Sequence, residues 1–195
     1  TLEAAVENIE ADGIENGLYL TENITTSGTI TIPANTKIKL DLKGYKIENT
    51  TTDCGFDNHG EITLIDTSKD NTGSILVTKN SSNVVAIKNN SGSTLTLGIK
   101  DEARNTSPVI QGTKYGIDNS YNAILNFYDG QIKGATNAVI GEIKDVERKC
   151  VLRKTRQNNV EVCYLDQICN GDKLKSTDDR GITWNYTYQD GKATN

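Results

Sequence analysis

From Leu18 onward the apolar residues of this chain fall at every second position, in short runs broken by small and polar residues. Leu18 and Leu20, Ile30 and Ile32, Ile38, Leu40 and Leu42, then Tyr45 and Ile47 alternate with polar neighbours, and Ser-Gly, Pro-Ala-Asn and Lys-Gly sequences separate the runs. A period of two over runs this short predicts strands joined by tight turns. The segment before Leu18 has another period. Leu2, Ala5, Val6 and Ile9 are spaced i, i+3, i+4 and i+7 behind Thr1, which predicts a short amphipathic helix over 1–9 with Thr1 as its N-cap. Asp12-Gly13 and Asn16-Gly17 break the helical pattern. A lone helix ahead of a run of strands is expected to be a lid over the open end of a strand stack, where unpaired backbone would template aggregation.

The strand pattern also repeats. The stretch GFDNHGEITLID, Gly55 to Asp66, returns as AIKNNSGSTLTLG from Ala86 and as GIDNSYNAILNFYDG from Gly116. Asn58, Asn89 and Asn119 are 31 and 30 residues apart; two residues before them stand Phe56, Ile87 and Ile117, and six after them Leu64, Leu95 and Leu125. Apolar positions and one amide held in phase at this step predict a solenoid, in which each coil buries its face on the next. Equivalent residues then stack about 4.8 Å apart. The three asparagines are expected to form a structural amide ladder, with the phenylalanine–isoleucine set and the leucine set as two columns inside. The connections between repeats are unequal in length, and loops of that kind are where a solenoid places specificity.

Three stretches carry a family resemblance: TLEAAVENIEADG, then LYLTENITTSGTITIPANTKIKLDLKGYKI, then the DNHGEITLID and KNNSGSTLTLG units. Together they resemble bacterial, Firmicutes-type cell-surface proteins with right-handed parallel β-helix repeats of the pectate-lyase-like superfamily. The resemblance spans about residues 1–144 and is strongest in LDLKGYKI, where Lys43 stands in place of the asparagine usual in that turn. It implies an all-β fold, a right-handed parallel β-helix with an N-terminal helical cap, and an extracellular or cell-wall location. It implies no reaction. Residues 1–144 are therefore expected to form the β-helix, and 145–195 a C-terminal β-rich cap or the start of a following module.

Composition agrees with a narrow interior, since hydrophobic residues are 35% and aromatics 6% of 195 residues. The net charge of −5 gives no general attraction to nucleic acid or anionic lipid. No apolar run approaches the roughly 20 residues of a membrane-spanning helix, so no membrane insertion is expected. The chain opens on Thr1 and contains no methionine, and is expected to be an excised or processed piece, so that the missing leader pattern says nothing against secretion. Cys54, Cys150, Cys163 and Cys169 match no zinc or CxxC spacing. Both free buried thiols and a bridge such as Cys163 to Cys169 fit the sequence.

Candidate chemistry is sparse. Just before the ladder asparagines stand Asp57, Lys88 and Asp118. The two aspartates would lie two rungs, about 9.6 Å, apart, near the upper separation of an inverting glycosidase pair. Lys88 between them could instead act as the base of a polysaccharide lyase, with the acids holding Ca²⁺. The simpler expectation is an alternating-charge ladder on an exposed strand, with no catalytic residue, no metal site and no cofactor. His59, the single histidine, is expected to be a turn residue. The loop with Lys100, Asp101, Glu102 and Arg104 is expected to be a solvated turn, and Arg148, Lys149, Arg153, Lys154 and Arg156 a charged strand edge. Near the end, Trp184, Tyr186 and Tyr188 share one face of a strand; packing over the last rung is the more frequent use of such a stripe, and stacking on sugar rings is the alternative. The leading expectation is a non-catalytic extracellular module that contacts glycans or cell-surface polymers or acts as a stiff spacer. The alternative is a polysaccharide lyase or glycoside hydrolase working through Asp57, Lys88 and Asp118. The oligomeric state is left open.

Overall fold

The computed structural model describes residues 1–10, 12–102, 107–147, 150–167, 173–177, 183–189 and 192–194. It opens on one short helix, α1 (Leu2–Glu7), whose N-cap Thr1 accepts a hydrogen bond from the Ala4 amide at its hydroxyl. Leu2 and Val6 are buried, and the helix packs against the first strand of one sheet.

Beyond α1 the chain coils into a parallel β-solenoid of about five turns, each coil giving one strand to each of three sheets. Strands are numbered in chain order. The first sheet stacks β1 (Glu15–Tyr19), β4 (Lys37–Asp41), β7 (Glu61–Ile65), β10 (Thr94–Leu97), β13 (Ile124–Phe127) and β16 (Asp145–Val146). The second stacks β2 (Ile24–Thr26), β5 (Lys46–Asn49), β8 (Ser74–Val77), β11 (Val109–Gly112) and β14 (Gln131–Gly134). The third stacks β3 (Ile30–Ile32), β6 (Cys54–Asn58), β9 (Val85–Asn89), β12 (Tyr115–Asn119) and β15 (Asn137–Ile140).

The hairpin of β17 (Cys150–Gln157) and β18 (Val160–Gln167) adds antiparallel to β14 and ends the second sheet. The strands β19 (Lys173–Thr177), β20 (Thr183–Gln189) and β21 (Lys192–Thr194) form an antiparallel sheet of their own. The side chains of Trp184, Tyr186 and Tyr188 lie outside the described residues, as do Arg104, Arg148, Lys149 and Cys169.

The interior is a set of like-on-like columns. Ile24, Ile47, Ile75, Ile110 and Ile132 are in register along the second sheet, and Cys163 of β18 follows them. Ile30, Phe56, Ile87, Ile117 and Val139 do the same along the third. β-Branched side chains suit this geometry because each meets its own shape one strand spacing away. Each fully buried side chain of this size contributes about 1.5–3 kcal/mol, so a narrow interior is sufficient when nearly every inward position is filled.

The expected leucine column differs. Leu95 and Leu125 are in register, but the residue facing Leu95 from β7 is Ile62, and Leu64 instead faces Leu97. The reason is turn length. Between β9 and β10, and between β12 and β13, the turn has the four residues 90–93 and 120–123, whereas only His59 and Gly60 separate β6 from β7. The short turn requires Gly60, because a Cβ there would overlap the Pro33 and Thr36 carbonyl oxygens. Cys54 and Cys163 are free thiols, and the expected bridge partner Cys169 lies outside the described residues.

Candidate functional site

The third sheet and the turns that leave it carry most of the candidate residues. Asp57, Lys88 and Asp118 are in register on its outward face, continued by Thr31 at one end and Ile140 at the other. They form a line along the stack. Lys88 is exposed, and no ion pair joins it to Asp57 or Asp118 among the described residues.

Asp57 is held by its neighbours in the turns. Its carboxylate is 3.1 Å from His59 Nε2 and accepts a 2.7 Å hydrogen bond from Asn90 Nδ2. Partial burial raises the Asp57 pKa, but the hydrogen bonds from Asn90 and His59 and the nearby charges outweigh it, and the net shift is downward. Asp57 therefore stays ionised at neutral pH and is unsuited to protonating a leaving group. Cys54 lies close by and donates to the Phe56 carbonyl at 3.1 Å. Burial, reinforced by the negative charges of Asp57 and Asp118, pushes this thiol up to about 11, so it is not a thiolate nucleophile at neutral pH.

Inside the same sheet the asparagines are joined by their amides. Asn58 Nδ2 donates to Asn89 Oδ1 at 2.7 Å, and Asn89 Nδ2 donates to Asn119 Oδ1 at 2.7 Å. The second amide hydrogens go to the carbonyls of Thr94 and Ile124, the first residues of the strands that follow each turn. Asn119, last in the line, donates to the Glu142 carbonyl at 2.8 Å. The ladder thus ties each coil to the next one twice, at its asparagine and just beyond its turn.

The charged loop and the basic hairpin are internally engaged. Lys100 pairs with Asp145 at 2.6 Å and lies 5.4 Å from the centre of the Tyr128 ring, and the Asp101 amide donates to Glu147. Arg153 pairs with Asp166 at 2.6 Å, and Arg156 donates to the carbonyls of Ala135 and Thr136. Among the described residues no three His, Cys, Asp or Glu side chains are grouped as a metal would need.

Two clefts were not apparent from the sequence. One, of about 800 Å³, lies between α1 and the β2 region and includes Glu3, Glu7 and Glu22. The other, of about 500 Å³, is formed by the turn after β12 and by residues 141–144, with Tyr121, Ile124, Glu142 and Lys144 in its walls. The available signal for the second was the repeat alignment, which puts Tyr121 where the preceding coil has Ser91.

Comparison of the chain with protein-family models, with curated proteins and with solved structures finds no match in any of the three.

Proposed function

We propose that this chain is a non-catalytic extracellular module of a bacterial surface protein, a stiff solenoid that presents its outer turns to glycans or other cell-surface polymers. The winding is right-handed, α1 and the C-terminal strands cap the two ends, and the boundary near residue 144 divides the β-helix from a C-terminal cap or following module. The observation that carries this reading is the continuity of register. Columns run residue for residue from β3 through β15 and from β2 through β14, and a buried amide ladder joins three of the coils. Shearing one coil against the next would break several backbone bonds and a side-chain bond together, so outer residues are held on a rigid frame. The downward shift of the Asp57 pKa does not suit the general-acid role of a hydrolytic pair.

The test is a glycan array with Ca²⁺ present, followed by mass spectrometry of any bound polymer. Saturable binding without cleavage products is the expected result. Products that disappear in Asp57→Asn, Lys88→Ala or Asp118→Asn variants would establish the enzyme instead.

A further inference from the structure

The turn from β12 to β13 contains a residue that the fold does not use. Tyr121 is 88% exposed at its tip, so burial of its ring contributes almost nothing to stability. The stacked turn in the preceding coil is built the same way. Ser93 N donates to Asn90 O, and Ala123 N to Ser120 O, both at 3.0 Å. The third residue of each turn has positive φ, 82° at Gly92 and 64° at Asn122, which glycine and asparagine tolerate. A serine, Ser91, satisfies the second position there, so the tyrosine is not demanded by turn geometry.

Tyr121 is not alone. Ile124, 41% exposed, lies on the same cleft, and Ser120, Asn122, Glu142 and Lys144 supply hydroxyl, amide, carboxylate and ammonium groups around it. Both walls are fixed. Ser120 N donates to Asn89 O at 2.9 Å and Ile124 N to Ser93 O at 2.9 Å, and on the opposite side Asn119 Nδ2 holds Glu142 O while Lys144 N donates to Leu125 O at 2.7 Å. The volume of about 500 Å³ is in the range of small-ligand sites.

We propose that this cleft is a saccharide subsite in which Tyr121 stacks on the C–H face of a neutral sugar ring while Asn122, Glu142 and Lys144 bond its hydroxyls. A sugar is the occupant whose chemistry matches. It offers one apolar face to a rigid aromatic side chain and a rim of hydroxyls that both donate to the carboxylate and accept from the amide and ammonium. One acid and one base leave the cleft without net charge, which favours a neutral hexose over a uronic or sulfated one. The inference rests on the contact-surface reading above and places that contact at one site.

The test is calorimetry and saturation-transfer NMR on the full chain with maltotriose, cellotriose, triacetylchitotriose and, as the anionic comparison, trigalacturonate. Saturable binding of at least one neutral trisaccharide is expected, weakened about tenfold by Tyr121→Ala and changed less than about twofold by Tyr121→Phe. The thermal midpoint of Tyr121→Ala should equal that of the parent, which separates loss of contact from loss of fold. Binding unchanged in Tyr121→Ala, binding of trigalacturonate alone, or no binding up to about 10 mM would each overturn the assignment. The wider contact-surface reading fails only if the glycan array is silent as well.

Discussion

Asn58 and Asn89 are 31 residues apart, and the side-chain amide of the first lies 2.7 Å from the side-chain carbonyl of the second, both without solvent exposure. Asn89 is the centre of the ladder. It accepts from Asn58 and from the Ser93 hydroxyl, and donates to Asn119 and to the Ile124 carbonyl. Asn89→Leu keeps the volume roughly constant but leaves those groups buried with fewer partners, and each stranded polar group costs about 1–3 kcal/mol. The expected loss is about 3–5 kcal/mol, read as a lower urea midpoint. Ser93→Ala removes hydrogen bonds from a single hydroxyl and should cost about 1 kcal/mol. Equal effects of the two would show that the ladder is not cooperative.

The ladder explains what was legible in the sequence. A buried amide is satisfied by its equivalent in the next coil, so Asn58, Asn89 and Asn119 stay in phase, and with them Phe56, Ile87 and Ile117. The position of Leu64 was not legible by counting from the asparagine, because the two-residue turn at His59 and Gly60 moves the next strand by two places relative to its neighbours. The cleft at Tyr121 was hidden for another reason. Its walls come from turn 120–123 with Ile124 and from residues 141–144, which face each other only through the stacking of successive coils. The outward line of Asp57, Lys88 and Asp118 was readable as a register, but not the bonds from His59 and Asn90 that keep Asp57 ionised, since these depend on side-chain placement in the turns.

Close approach of neighbouring turns sets the second prediction. A Cβ on Gly112 would overlap the Tyr115 carbonyl oxygen and crowd the Ala86 amide, whereas one on Gly28 would meet nothing. Gly112→Ala must displace backbone on two strands and should cost about 3 kcal/mol or more, the upper end of overpacking effects. Gly28→Ala should stay within about 1 kcal/mol of the parent. Thermal unfolding of the two variants side by side checks the contrast.

Acid sensitivity should come from the buried turn carboxylates. Asp66 accepts from the amides of Gly44, Ser68 and Gly73. Burial raises its pKa, but hydrogen bonds from Ser68, Gly73 and Ser107 outweigh burial and the net shift is downward. Asp41 is shifted the same way, with Thr67 and Lys43 as its donors. A carboxyl whose folded pKa is depressed adds stability above its unfolded value, near 3.9, and that stability is lost as pH falls through the folded value. Unfolding midpoints should therefore drop below about pH 4. Asp66→Asn should be destabilised by about 1–3 kcal/mol at pH 7, with the gap to the parent narrowing towards pH 3. A gap independent of pH would assign the loss to packing alone.

The thiol at the end of the isoleucine column gives a readout of whether the hairpin is seated. Cys163 is fully buried opposite Ile132, and burial pushes its thiol up to about 11. Reaction with iodoacetamide at neutral pH requires both exposure and thiolate, so modification at this position should be negligible in the native protein and should rise only as denaturant opens it. Mapping the alkylated peptide across a urea series tests this at one residue, independent of the other cysteines. If β17 and β18 unfold together with the coils they extend, labelling of Cys163 will follow the global transition. If the hairpin opens on its own, labelling will begin at lower urea while the amide ladder is intact, and the energy of that opening will be less than the global value. The shared column favours the first outcome, because removing β18 would expose Ile132 as well as Cys163 and leave the outer hydrogen-bonding edge of β14 unpaired.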